Sequence, residues 1–336
     1  MKLRRHHLRW LAAGVSSALF VYVLARAHPE VILNKIRLLG WIFAFLILLS
    51  GIRNLLKAVA WSYCVRTHGV HPDGFDLFGP RVVADALSDS MPAGPLFGET
   101  ARVVSISRFI PAQAGASSVL IENLIFSLAA AFFILGGVAL VLLTITPPQA
   151  FRWLGGTLVT GFLGVVLVAC WMVRRRIPVL EWTLDYLRRA GLRWGFLERH
   201  QSQLRAIERD IYDFFLAHKR LFLFVFAIEF ATNFTGVGED YLILKITAAH
   251  TSLFAAYLAE ATCRAVQLTF SFVPFGLGVQ EGTAAAALQV LGYAASDGVS
   301  LAIVRKMRTL FWTALGLLLA ARYAGPQSTR REHSAT

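Results

Sequence analysis

The sequence predicts an all-α polytopic membrane protein: a helical bundle with two inverted halves, each containing a re-entrant broken helix. Three observations carry that expectation. Hydrophobic residues make up 56% of the 336-residue chain and charged residues only 16%, against roughly 25% charged in a soluble domain. The apolar residues are gathered into blocks long enough to cross a bilayer. Two of those blocks are interrupted by one short pattern, Pro-x-Gly followed by four residues and then Glu.

This composition excludes an ordinary soluble enzyme and a disordered chain. The 33 Lys+Arg against 20 Asp+Glu leave a net charge of +13, yet no nucleic-acid binder is implied. The basic residues lie mostly between and beside the apolar blocks, where they set topology and meet anionic lipid heads. Cys64, Cys170 and Cys263 are far apart in or beside apolar blocks. They suggest neither a disulfide framework nor a zinc site, and act as small hydrophobes against packed helices. No metal and no cofactor is expected.

The elements follow in order. A basic N-terminus, Met1 to Arg9, precedes an apolar run from Trp10 to Ala27. Ala25-Arg26-Ala27 superficially fits a signal-peptidase site. Everything downstream is also membrane-embedded, so residues 1–27 are expected as a retained first span. A second block, Leu38 to Val65, contains Arg53, Asn54 and Lys57. Arg53 and Lys57 share a helical face, directed either to a protein interior or, for Lys57, to the headgroups by snorkelling. Arg66 to Arg81 reads as a polar loop; its His68, His71, Asp73 and Asp76 have a metal-like spacing that any polar turn can show by chance. Val82 to Phe109 is neither a clean span nor a soluble loop. Clean spans follow at Ser118 to Thr146 and Trp153 to Val173, joined by the Pro147-Pro148-Gln149 turn.

From Arg174 to Arg220 the chain holds 11 Lys+Arg and 6 Asp+Glu. Leu204, Ile207, Ile211, Phe214 and Phe215 fall at helical spacing, so residues 174–220 are expected as a cytoplasmic amphipathic connector. Leu221 to Thr247 is apolar but carries Glu229, Asn233, Glu239 and Asp240. Ser252 to Phe272 is apolar with Glu260, Arg264 and Gln267 inside it. Pro274 to Gly282 interrupts it, and Thr283 to Leu291 is a short helix. The last span, Val299 to Ala321, has Arg305, Lys306 and Arg308 near its start. Residues 324–336 read as a disordered tail.

Basic segments belong inside the cell. Residues 1–9, the 174–220 stretch and the tail are therefore cytoplasmic, and the Pro147 turn is outside. An odd number of crossings joins the N-terminus to that turn, so Val82 to Phe109 must enter from the cytoplasmic side and return to it. By the same count Ser252 to Leu291 enters from the outer side and returns there. The chain thus divides into an N-terminal half, 28–173, with re-entrant element 82–109, and a C-terminal half, 221–323, with re-entrant element 252–291. An inner, plasma-type membrane of bacterial kind with both termini cytoplasmic is the expected location.

The two folded-back elements carry the shared pattern: Pro92, Gly94 and Glu99 in the first, Pro274, Gly276 and Glu281 in the second. Gly98 and Gly278 lie beside them. Pro ends the incoming helix and Gly permits the reversal. The freed backbone groups cannot face lipid, so each break is buried in protein or lines water. Broken apolar segments at matching positions of two halves point to a transporter site. Asp85, Asp89, Glu99, Arg102, Glu260, Arg264 and Glu281 lie on the broken elements, and Arg308 on the neighbouring span. An unpaired buried charge costs several kcal/mol. These groups therefore either pair permanently or line a hydrated cavity where Arg102, Arg264 and Arg308 meet a lipid headgroup, with Glu99 and Glu281 holding the arginines when it is empty. Glu99 and Arg102, three residues apart, can also pair within one helix.

Met-Pro92-Ala-Gly94-Pro-Leu-Phe-Gly98-Glu99-Thr-Ala-Arg102 resembles the Pro-x-x-x-Gly-Glu-x-x-Arg stretch of the flippase-like family that includes the transmembrane part of lysylphosphatidylglycerol synthases. Pro274-Phe-Gly276-Leu-Gly278-Val-Gln-Glu281 resembles its Pro-x-Gly-x-Gly-x-x-Glu stretch, and the Arg308 span its Arg-bearing final helix. The resemblance covers roughly residues 8–325 and implies a lipid translocase with re-entrant helices. Stand-alone members are associated with aminoacyl-lipid, isoprenoid-linked glycolipid or hopanoid pathways. The family often shows Glu-Arg after the first re-entrant element; here Glu122 is followed by Asn123. The soluble aminoacyl-transferase domain of the bifunctional synthases is not expected, since about 11 residues follow the last span.

A lipid flippase or lipid-transport protein for a polar-headed or isoprenoid-type lipid is therefore the leading expectation. It has no Gly-x-x-x-x-Gly-Lys-Ser/Thr loop for ATP, which leaves downhill exchange or ion coupling through Glu99, Glu281, Asp85 or Asp89. The alternatives are a membrane-embedded enzyme on a lipid-linked substrate, with Asp85 and Asp89 as acid and base, and a non-catalytic partner in an envelope-lipid pathway. Membrane lipids with anionic or polar heads are the expected partners; lipid-biosynthesis enzymes and a second copy of the chain are left open. The charge pattern makes one direct prediction: an impermeant thiol reagent outside intact cells fails to label a Gln201→Cys variant, and ready labelling reverses the orientation.

Overall fold

The computed structural model describes residues 39–91, 94–107, 109–144, 149–179, 182, 201–248, 250–270 and 279–324. Among them are ten α-helices and no strand: α1 Trp41–Arg66, α2 Gly74–Ser90, α3 Gly94–Ile106, α4 Ala112–Thr144, α5 Gln149–Arg175, α6 Gln201–Ala217, α7 Lys219–Thr247, α8 Leu253–Thr269, α9 Val279–Val290 and α10 Ala295–Ala324. The chain is an all-α polytopic membrane protein. The expected span 1–27, the Pro147 turn and the tail beyond Ala324 lie outside the described residues, as do Pro92, Pro274, Gly276 and Gly278.

Four stretches are long and apolar enough to cross a membrane: α1, α4, the Gly155–Arg175 part of α5, and α7. At 1.5 Å per residue, α1 is about 39 Å long and α4 about 50 Å, beyond a hydrocarbon core of about 30 Å. On α1 the residues facing inward, Leu46, Ser50, Asn54, Ala58, Trp61 and Val65, recur every three or four positions. Trp41, Phe45, Leu48 and Ile52 point outward to the lipid side. Helix α5 has the barest outer surface. Its Leu158, Val165 and Leu167 are exposed, and the two exposed tryptophans Trp153 and Trp171 lie about 27 Å apart along the axis. That spacing matches two aromatic anchors at the two interfaces.

The remaining helices between the basic segments are shorter. Helices α2 and α3, at 17 and 13 residues, reach about 26 and 20 Å; α8 and α9, at 17 and 12, about 26 and 18 Å. None alone matches the hydrocarbon thickness. Helices α2 and α3 pack closely against each other. A Cβ on Gly94 would strike the Ser88 backbone, and one on Gly98 would sit 2.6 Å from the Ala84 carbonyl oxygen. Glycine is therefore required here by close approach. Helix α10 is long enough to span but holds Arg305, Lys306 and Arg308.

The expected polar loop from Arg66 to Arg81 is instead mostly helix, since α2 begins at Gly74. Asp73 sits at the helix entrance, and the Asp76 carboxylate accepts its backbone N–H at 3.3 Å. Two acidic groups at a helix start satisfy otherwise orphaned N–H groups and complement the helix dipole. Pro80 lies inside α2, past its first turn, where it has no backbone N–H to donate. The His68 ring bonds the Ser117 hydroxyl at 3.2 Å, and its partial burial lowers its pKa.

Three apolar clusters form the described interior. One joins Ala58, Trp61 and Val65 of α1 to Leu77, Ile106 and Val119 of α2, α3 and α4. A second joins Ile243 and Leu244 of α7 to Ala255, Ala259, Leu288, Leu301 and Val304 of α8, α9 and α10. Small residues bring helices distant in sequence together. A Cβ on Gly316 of α10 would lie 2.6 Å from the Val82 carbonyl oxygen of α2, and one on Gly137 of α4 would lie 3.0 Å from the Ala261 Cβ of α8. In the third cluster amphipathic α6 packs Phe214 with Val225 and Ile121, and the Arg176–Asp213 ion pair at 2.7 Å ties it to the end of α5.

The glycine contacts predict a contrast in detergent thermal unfolding. Gly98→Ala destabilises by about 1–3 kcal/mol, the usual cost of overpacking. Gly161→Ala, whose Cβ meets nothing within 4 Å, is neutral or slightly stabilising.

Candidate functional site: a cationic cavity within the bundle

A cavity of about 320 Å³ is lined by residues of α1, α2, α3, α4, α8, α9 and α10. Ser88 and Asp89 near the end of α2 and Pro95 at the start of α3 line it, with Phe270 just after α8 and Gln280 at the start of α9. Seven cations line the same space, Arg53, Lys57, Arg81, Arg264, Arg305, Lys306 and Arg308, against three acids, Asp85, Asp89 and Glu260. Phe126, Val266 and Trp312 supply apolar wall.

Buried carboxylates hold most of these cations from behind. On the first side, Glu122 of α4 is fully buried and accepts from Arg81 of α2 and Arg102 of α3, each at 2.7 Å. Asp85 takes a second contact with Arg81 at 3.3 Å. Arg102 stacks over the Trp61 ring with its guanidinium 4.5 Å from the centroid. Asn123 accepts from Arg102 at 3.3 Å and donates to Glu99 at 2.7 Å. Asn123 thus acts as a neutral bridge between Arg102 and Glu99.

On the second side, Glu260 accepts from Arg264 one turn along α8, at 2.7 Å. Its other oxygen accepts from Arg305 of α10, which also grips both oxygens of Asp240 on α7. Gly236 makes room for this: a Cβ there would lie 2.5 Å from the Glu260 Oε1. Glu239, one residue before Asp240, pairs with Arg308 and lies 3.6 Å from Arg53 of α1. Lys57 has its ammonium over the Phe126 ring at 4.9 Å. It points into the cavity, the inward of its two expected directions.

The singled-out residues therefore separate. Asp85, Asp89, Glu260, Arg264 and Arg308 line the cavity. Arg102 is 3% exposed and locked to Glu122 behind the wall. Glu122 and Glu239, rather than Glu99, hold Arg102 and Arg308. Glu281 falls in the first turn of α9. Sequence reasoning left out Arg53, Lys57, Arg81, Glu122, Glu239, Asp240 and Arg305. The signal for them was present, because an ionisable residue inside an apolar block points to a wet or functional interior; the Pro-x-Gly pattern drew attention to its own neighbourhood instead.

The Glu122 geometry makes a stability prediction. Glu122→Gln leaves two buried arginines under-compensated and destabilises by about 3–5 kcal/mol. Asp85→Asn, at a half-exposed side chain, costs about 0–1 kcal/mol. Detergent unfolding of the two variants side by side measures the difference.

No curated protein and no solved structure matches the chain. The family model described as the lysylphosphatidylglycerol synthase TM region matches residues 9–316. By that match, spanning nearly the whole sequence, the chain belongs to the family of the lysylphosphatidylglycerol synthase transmembrane region.

Proposed function

We propose that the protein is a lipid transporter of the inner membrane that takes an anionic, phosphate-bearing headgroup into the cavity and passes the lipid between leaflets. The single observation that carries this reading is the wall of seven cations and three acids, set between the flanks of both broken elements in a membrane-embedded bundle. A guanidinium fork suits a phosphate because it donates two parallel hydrogen bonds. Arg264 and Arg308 present such forks while their carboxylate partners hold them in place. The apolar walls from Phe126 and Phe270 suit the upper part of an acyl or isoprenoid chain.

The movement in this reading comes from the two halves. The elements on either side of residues 91–93 and 271–278 act as re-entrant pairs of opposite orientation, meeting near the bilayer midplane about a pseudo-two-fold axis. Rocking one half against the other then exposes the same cavity to each leaflet in turn. Support comes from the short lengths of α2, α3, α8 and α9, and from the flanks of both breaks converging on one space. The role is transport rather than chemistry: Asp85, one of the two carboxylates considered as an acid–base pair, is engaged by Arg81.

The test uses vesicles containing a tail-labelled fluorescent phosphatidylglycerol and a quencher confined to the outside. Wild-type protein exchanges the label between leaflets without altering it chemically. Arg264→Lys and Arg308→Lys stay folded in detergent but exchange about tenfold more slowly, the equivalent of one lost charge-assisted hydrogen bond of about 1.5 kcal/mol. Exchange that survives intact in both variants makes the charges scaffolding and removes the headgroup role.

A further inference from the structure

A charge in a largely buried wall is stable when a counter-charge or a hydrogen bond meets it. Each of the five arginines that line the cavity has a carboxylate partner, and Lys306 is engaged as well. Lys57 is different. Among the described residues no carboxylate lies within ion-pair distance of its ammonium, which rests over the Phe126 ring at 4.9 Å. Its N–H donors are therefore unspent. The acids of the wall divide in the same way. Asp85 is engaged by Arg81, and Glu260 by Arg264 and Arg305. Asp89 lines the same space with neither an ion pair nor a hydrogen bond among the described residues. Its place on the helix is unfavourable for an acid. It lies in the last turn of α2, which holds no basic residue, where the backbone carbonyls already give the helix end a partial negative charge. Asp85, one turn back, adds a further carboxylate to the same helix, and Arg81 is committed to it and to Glu122. Nothing in the packing of α2 compensates Asp89, whereas a ligand that brings it a donor gains a charge-assisted hydrogen bond.

We propose that Lys57 and Asp89 are the specificity-determining residues of the cavity: Lys57 binds the phosphate, and Asp89 accepts from a hydrogen-bond donor carried beside that phosphate, a hydroxyl or an ammonium. The assignment rests on the lipid-transport reading above for a phosphate-bearing ligand, and goes beyond it in choosing among such ligands. The paired arginines supply a positive background, but part of each fork is spent on its carboxylate. Lys57 offers all of its donors as a compact point charge. Asp89 acts in the opposite sense. It repels a phosphate that arrives without a donor and holds one that arrives with it. Discrimination of this kind is steep, because the wrong ligand leaves a desolvated acceptor unpaired.

Binding, rather than exchange, tests the assignment. Short-chain phosphatidylglycerol, phosphatidylethanolamine and phosphatidylmethanol are titrated calorimetrically into the detergent-solubilised full chain. The first carries hydroxyls beside the phosphate, the second an ammonium, and the third no donor at the same charge as the first. Wild type binds at least one donor-bearing lipid about tenfold more tightly than phosphatidylmethanol, and the tighter of the two says whether Asp89 meets a hydroxyl or an ammonium. Asp89→Ala abolishes that preference and Asp89→Glu keeps it. Lys57→Gln weakens all three lipids about tenfold, and Lys57→Arg restores them. Neither Asp89→Ala nor Lys57→Gln lowers the unfolding temperature, in contrast to Glu122→Gln. Equal binding of the three lipids by wild type, a preference that survives Asp89→Ala, or unchanged affinity in Lys57→Gln overturns the assignment. So does a variant that unfolds well below wild type, because its charge is then structural. Selective binding without leaflet exchange removes the transport reading and leaves the two residues their role; exchange without selective binding does the reverse. Wild type that binds none of the three lipids and exchanges none removes both.

Discussion

Water is absent from the hydrocarbon core, so a charge placed there must find its counter-charge within the protein. Every long-range feature of this bundle answers to that requirement. Glu122 lies on a helix whose interior-facing neighbours are Ile121, Ile125 and Ala129, where an isolated carboxylate would be untenable. It is stable there because α2 and α3 each bring an arginine to it. Those two helices must pack against each other closely enough to converge on one side chain, and Gly94 and Gly98 allow it. The same logic runs through the other half. Asp240 and Glu239 are consecutive on α7 and so point to different sides of the helix. One is met by Arg305 and the other by Arg308, three residues apart on α10 and likewise offset around its axis. Charge pairing thereby fixes the rotation and the register of α10 against α7, which apolar packing alone would leave degenerate.

The cavity is a consequence of how these pairs are oriented. In the second cluster the carboxylates are the more deeply buried members: Glu239 and Asp240 are almost fully buried, while Arg305 and Arg308 retain some exposure. On the first side Glu122 lies behind Arg81 in the same way, whereas Asp85 is at the cavity and Arg102 behind it. Buried anions behind cations at the cavity surface give a wall that is close to neutral overall but presents positive ends. A neutral sum avoids the self-repulsion of seven unscreened cations, and the layered arrangement still leaves donors directed at an incoming anion. Arg53 and Arg264 extend the pattern on α1 and α8, and with Arg81 on α2 and Arg305 and Arg308 on α10, arginines from four helices line one cavity.

The helical class, the long spans and the amphipathic 201–217 helix were legible in the sequence because each depends on local composition and period. Residues 112–144 are apolar over far more than one membrane crossing, and nothing tertiary is needed to read them. The Pro-x-Gly-x4-Glu pattern was legible for the same reason: backbone breakers announce themselves. The partners of the charges were not legible. Arg102 has a candidate three residues away in Glu99, yet it bonds Glu122 on another helix, because α3 turns it toward α4 and the Trp61 ring. Glu239 and Asp240 read as two unexplained charges in an apolar block until α10 is placed beside them. The start of α2 was missed for a different reason. His71, Pro72, Asp73 and Gly74 have the composition of a turn, and the capping role of Asp76 appears only once the helix direction is known.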